Sequence, residues 1–161
     1  MPVTTILVVD DEPMVRTLVT KILTKSGYDV LEAADGREGL RMHRDRTIDL
    51  TITDIYMPVM DGMEFLRSLL ADSPNVKVIV MSGGGERTFR LEETLDQARK
   101  EGARIVLAKP FTPNELRAAV QQLVGSAVQG GGVDRRRPGS DRRRGDRRQL
   151  LDRRSGERRR A

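Results

Sequence analysis

Five side chains in this 161-residue sequence could do chemistry together. Asp10 and Asp11 close one apolar run, Asp54 closes another, Ser82 follows a third, and Lys109, next to Pro110, follows a fourth. Carboxylates gathered in one place repel one another, and each then resists ionisation. A hard divalent cation removes that conflict. Mg2+ in particular takes oxygen ligands, keeps several waters and is commonly shared with phosphate oxygens. A nearby ammonium would pair with a further phosphate oxygen, and a hydroxyl could donate to another. Phosphoryl transfer needs chiefly such positioning and charge neutralisation. One carboxylate would be the nucleophile. Asp54 is the natural choice, because it ends the middle of five strand-like runs, between the acid pair and the Ser82–Lys109 side.

The chemistry requires elements that bring these positions to one edge. Thr4–Asp10 is a continuous β-rich apolar run, as in a strand buried on both faces of a parallel sheet. Val15, Leu18, Val19, Ile22 and Leu23 follow at helical spacing, with Gly27 as a stop. Tyr28–Glu32 reads as a short strand, and Asp35 with Glu38 has the spacing of a capping box opening a helix to about Arg46. Ile48–Asp54 is the third strand; Asp61 and Glu64 form a second box leading into Phe65, Leu66, Leu69 and Leu70. Val76–Met81 is a strand that ends at Ser82 and three glycines, and 86–101 reads as a helix with Leu91, Leu95 and Ala98 inward. Ala103–Ala108 is the fifth strand. Thr112, Pro113 and Glu115 open the last helix, lined by Leu116, Val120, Leu123 and Val124. Five strand–helix units with short connections predict a doubly wound parallel five-stranded α/β sheet covered by helices on both faces. Such sheets bind ligands at the carboxyl ends of their strands, near the point where strand order reverses.

Composition divides the chain at about residue 124. The net charge is +5, yet residues 125–161 hold 13 Arg against 4 Asp and 1 Glu, leaving 16 basic and 19 acidic side chains in residues 1–124. From Gln129 onward only Val133, Leu150, Leu151 and Ala161 are apolar, too few to offset the entropy of ordering, so 125–161 is expected to be a disordered, low-complexity tail. With no cysteine there is no disulfide and no thiolate metal site. The sequence opens on a strand-like run without a signal-peptide pattern, and no apolar run approaches the roughly 18–20 residues that span a bilayer. A cytoplasmic protein is the expectation.

The runs VVDDEP (8–13), TDIYMPVMDG (53–62), VMSGGG (80–85) and LAKPF (107–111) resemble the receiver domain of two-component response regulators, in the right order and spacing over about residues 4–124. The resemblance implies a flavodoxin-like fold and a phosphorylation-dependent switch that is not an enzyme beyond its own phosphorylation and slow autodephosphorylation. It implies Asp54 as phosphoacceptor, Asp11 and Asp54 as direct Mg2+ ligands with the backbone carbonyl of Tyr56, and Asp10 as the partner acid acting partly through water. Ser82 would be the switch hydroxyl and Lys109 the phosphate-pairing lysine, and the peptide before Pro110 would be cis. The donor would be a phosphohistidine on a histidine kinase or phosphotransfer protein. Two features depart from the family pattern. Val106 stands where the family usually has a Tyr or Phe that changes rotamer on activation. The segment from Ser82 to Lys109 is several residues longer than usual and opens with Gly83, Gly84 and Gly85.

Other readings stand beside these. The tail repeats an acid followed by arginines (Asp134, Asp141, Asp146, Asp152, Glu157) too irregularly for a heptad. It reads as a solvated tether, as a nucleic-acid contact over residues 134–160, or as a dock for an acidic protein or membrane surface. A nucleic-acid-binding protein regulated by its receiver is thus the alternative function. A metal-dependent phosphohydrolase would place its nucleophile at the end of the first strand with a second acid two residues on, where Glu12 or Pro13 stands. Asp61 and Gly62 read as turn and cap, His43 as a solvent-facing helical residue, and the Tyr56 side chain either as tuning water access to Asp54 or as a cover for its loop. With no ring at 106, the activation signal is expected to pass through the glycine loop and the helix after it. Ser82→Ala should therefore suppress activation-linked NMR shifts in residues 83–95, and unchanged shifts would refute this route.

Overall fold

The computed structural model describes residues 3–83 and 91–125, the side chain of Leu91 excepted. The described residues all lie in one unit, Met1–Gly130. The expectations for the glycine loop beyond Gly83, for the helix before Leu91 and for the arginine-rich tail fall outside the described residues.

Ten elements alternate: β1 (Thr5–Val9), α1 (Pro13–Lys25), β2 (Asp29–Ala33), α2 (Gly36–Asp45), β3 (Leu50–Asp54), α3 (Gly62–Asp72), β4 (Val78–Gly83), α4 (Leu91–Glu101), β5 (Ile105–Lys109) and α5 (Pro113–Val124). All strand pairs are parallel, in the order β2-β1-β3-β4-β5. The three inner strands are almost wholly buried, as continuous apolar runs require, while β2 and β5 lie at the edges and are half-buried. Alternate residues feed two layers. Ile6, Val8, Leu50, Ile52, Ile79 and Met81 pack against Val19, Ile22, Leu23, Leu116 and Val120 of α1 and α5. Leu7, Val9, Val78 and Val80 pack against Leu40, Phe65, Leu66, Leu69, Leu95 and Ala98 of α2, α3 and α4.

The caps fall where the sequence places them. Asp35, Asp61 and Thr112 accept from the backbone N–H of Glu38, Glu64 and Glu115. At α2 Glu38 also reaches back, its Oε2 accepting from the N–H of Ala34, the residue before the cap. Gly27 and Gly102 adopt φ of 93° and 118° just past α1 and α4, a region costly for residues with a Cβ.

Three expectations are corrected. Gly83, expected to open the glycine loop, is instead the last residue of β4. Leu18 is 56% exposed, on the same outward strip of α1 as Met14, because Val19, Ile22 and Leu23 already fill the sheet-facing stripe. His43 is half-buried, its Nε2 enclosed without a hydrogen-bond partner between the ends of α2 and α3, and burial holds its pKa below the ordinary 6.5.

Gly62 fixes how closely α3 approaches β3. Its N–H donates to the Ile55 carbonyl at 2.7 Å, and a Cβ there would overlap the Asp54 carbonyl oxygen. Backbone cannot swing aside as a side chain can. Gly62→Ala should cost about 3 kcal/mol in urea unfolding. Gly36→Ala, whose Cβ would meet only the Met60 side chain, should cost within about 1 kcal/mol.

Candidate functional site

The strand order reverses between β1 and β3, and the carboxyl ends of these strands carry Asp10, Asp11 and Asp54. One carboxylate oxygen from each lies within 4.8 Å of the other two. The three acids fit the donor chemistry of a hard divalent cation.

Each acid is held differently. Asp10 is fully buried; its Oδ1 accepts from the Glu12 N–H at 2.9 Å. Asp11 is half-buried. Asp54 is 7% exposed, and its Oδ1 accepts from the Ile55 N–H at 2.9 Å. Lys109 reaches in from β5, its Nζ 3.4 Å from Asp10 Oδ2 and 3.6 Å from Asp54 Oδ1. The Lys109–Pro110 peptide is cis. Ser82 lies on β4, one residue past the partner of Asp54 in the strand register; its Oγ is buried with no hydrogen-bond partner among the described residues. Tyr56 is half-buried, its hydroxyl 3.5 Å from Thr94 Oγ1 on α4. The acids and Lys109 thus come together as the spacing predicted, and Ser82 ends the adjacent strand.

Two supports were missed. Arg16, in the first turns of α1, donates from Nη1 to the Asp10 carbonyl at 2.7 Å and pairs with Glu32 at 3.4 Å. A cation within two turns of the acid pair was the available signal. Gly83 opens the glycine run, yet it is the last residue of β4 and faces the Lys109 stem: a Cβ would come within 2.8 Å of Lys109 Cδ. Its missing side chain leaves the path along which Lys109 reaches the acids.

Electrostatics are dominated by burial, which pushes the Asp54 carboxyl from the usual 3.8 up to about 6; Lys109 opposes this, and Asp10 and Asp11 add to it.

A doubly wound α/β sheet with an acid-lined pocket at its switch point defines the class. Comparison with known proteins then gives the family: the chain belongs to the response regulator receiver domain family, which matches residues 6–121. It is therefore a receiver domain of two-component signalling. Chemotaxis protein CheY of Thermotoga maritima is 34% identical over 119 residues, covering 73% of this chain and 95% of that protein. Sporulation initiation phosphotransferase F of Bacillus subtilis is 33% identical over 119 residues, covering 74% and 92%. The crystal structure of response regulator TrrA from Thermotoga maritima in complex with Mg2+-BeF superposes with a TM-score of 0.65 at 30% identity, covering 74% of this chain and 98% of that one.

The raised Asp54 pKa has a measurable sign. The folded state keeps this proton to a higher pH than the unfolded state, so the stability it lends is complete below about pH 4 and is lost as pH rises through about 6. In metal-free protein at pH 8, Asp54→Asn should be more stable than the parent by about 1–2 kcal/mol. Chemical unfolding at pH 4 should show that difference vanish.

Proposed function

We propose that this chain is a phosphorylation-dependent switch of a two-component phosphorelay that accepts a phosphoryl group on Asp54, from a phosphohistidine on a histidine kinase or phosphotransfer protein, and signals by protein contact. The observation that carries this reading is the placement of Asp54, with Asp10, Asp11 and Lys109 gathered around it. The kinship with a phosphotransferase and with a protein bound to Mg2+-BeF supports it. An Asp54 carboxylate oxygen attacks phosphorus. The histidine N–P bond breaks, an acyl phosphate forms, and the freed imidazole takes up a proton. Lys109 pairs with a phosphoryl oxygen and withdraws from Asp10 to do so. Ser82 donates its unpartnered hydroxyl to another. Asp11, Asp54 and the Tyr56 carbonyl would hold Mg2+, with Asp10 beside it and partly through water; the bound ion supplies charge neutralisation between carboxylates and phosphoryl oxygens. Pro110 begins the turn that follows Lys109.

The chain turns over no substrate in this reading beyond its own phosphorylation and slow dephosphorylation. Residues 1–124 constitute the switch, and the arginine-rich segment 125–161 is dispensable for it. No helix among the described residues is long and apolar enough to cross a membrane, and a cytoplasmic place beside the kinase's catalytic domain fits.

Incubation with acetyl phosphate and Mg2+ should yield a hydroxylamine-labile phosphate. It should be lost with excess chelator and in Asp54→Ala, and retained in a protein truncated after residue 124. Label that persists in Asp54→Ala would overturn the assignment.

A further inference from the structure

We propose that Tyr56 couples the state of Asp54 to α4 through the hydroxyl of Thr94, the role that β5 cannot fill. The inference rests on the reading of Asp54 as phosphoacceptor and concerns how its loading is felt elsewhere.

β5 offers Val106 at the relevant position, a half-buried side chain with no polar atom. Tyr56 lies two residues beyond Asp54. The intervening Ile55 N–H is shared between Asp54 Oδ1 at 2.9 Å and the Met81 carbonyl at 3.2 Å. That N–H donates directly to the carboxylate and so feels any change in its charge. The Tyr56 ring packs against the apolar layer containing Leu95 and Ala98 of α4. Its hydroxyl lies 3.5 Å from Thr94 Oγ1, with either oxygen able to donate. Hydroxyl pairs at full strength stand about 2.7–2.8 Å apart, so the contact is made but not closed.

α4 is placed to respond at that end. Its last residue, Glu101, takes a two-pronged pair from Arg67 of α3 at 2.7 and 2.8 Å and a further bond from Gln97. Ala98 is fully buried. The helix is thus held at its carboxyl end by α3 and touched near its amino end by the residue that follows the acid pocket. A shift of the Asp54–Tyr56 segment that closes the Tyr56–Thr94 contact draws the amino end of α4 while the far end stays fixed.

The test uses 15N-labelled full-length protein with acetyl phosphate and Mg2+, reading amide shifts across Glu92–Ala98 and hydroxylamine-labile phosphate in the same sample. The parent should take label and show the shifts. Thr94→Val, nearly isosteric, should take the same label with the shifts per labelled chain cut to half or less. Thr94→Ser, which keeps the hydroxyl, should retain them; a purely structural role would not distinguish these two. Tyr56→Phe should cut the shifts equally, and the double variant with Thr94→Val should lose no more than either single change, as one shared contact demands. Full shifts in labelled Thr94→Val overturn the coupling and leave the Asp54 reading standing. Loss of label in Thr94→Val would place Thr94 in phosphoryl uptake instead and overturn it too. A parent that takes no label fails the Asp54 reading, and the coupling falls with it.

Discussion

Three carboxylates and one ammonium at the mouth of a buried sheet set the terms for everything else in this protein. Asp10 is fully buried and Asp54 nearly so, while Lys109 stands 3.4 and 3.6 Å from them. Formal charge there is −3 against +1. In water such a group would be unremarkable; out of water, repulsion and lost hydration both favour protonation. Burial raises Asp54 to about 6 despite Lys109. The pocket is thus held in an electrostatically unfavourable state that the remaining fold must sustain.

The fold sustains it by building the site on its most rigid parts. β1, β3 and β4 are buried on both faces, and the apolar layers above and below leave them no freedom to splay. The acids stand at the ends of these strands and inherit their positions. Local contacts then trim the geometry. Glu12 N–H and Arg16 hold Asp10, Ile55 N–H holds Asp54, and two glycines leave room for close approaches, by backbone at Gly62 and by the Lys109 side chain at Gly83. Gly62 lets α3 lie on the Asp54 carbonyl, and Gly83 lets Lys109 cross β4. A group of like charges can be kept together only by such over-determination.

This construction decides how much of the molecule was legible in its sequence. Parallel strands buried on both faces read as apolar runs, and acids closing two such runs must meet at one edge if the sheet forms. Element order, both apolar layers and the meeting of Asp10, Asp11, Asp54 and Lys109 follow from those runs, and the caps at Asp35, Asp61 and Thr112 from their spacing to Glu38, Glu64 and Glu115. The features that stayed hidden depend on how separate elements pack. Whether Leu18 points in or out depends on where α1 sits over the sheet. His43 is enclosed because α2 and α3 converge at their carboxyl ends. Arg16 reaches the Asp10 carbonyl only because α1 leaves β1 at a particular angle. Gly83 belongs by sequence to a glycine run, whereas its position at the end of β4 makes it a space for Lys109. The Tyr56–Thr94 contact joins residues far apart in the chain, and no local pattern announces it.

If Asp54 accepts a phosphoryl group as proposed, the same electrostatics suit a switch better than a catalyst of turnover. A divalent cation would bring the formal charge from −2 to neutral. Converting the Asp54 carboxylate to an acyl phosphate then adds about one further negative charge near neutral pH. The loaded site is again out of balance, with the excess now on oxygens further from β3. Lys109 is already close to two of the acids and cannot serve Asp10 and a phosphoryl group equally at once. Ser82 has a buried hydroxyl still to be satisfied. Each can improve its own interactions by moving toward the new charge, and each belongs to a different strand. The loaded and unloaded states therefore favour different arrangements of β4, β5 and the loop after β3, a differential interaction of the kind that shifts a two-state equilibrium. An enzyme selected for turnover would need its resting charge restored quickly. In the proposed reading the imbalance would last as long as the acyl phosphate, and so would the altered surface offered to a partner.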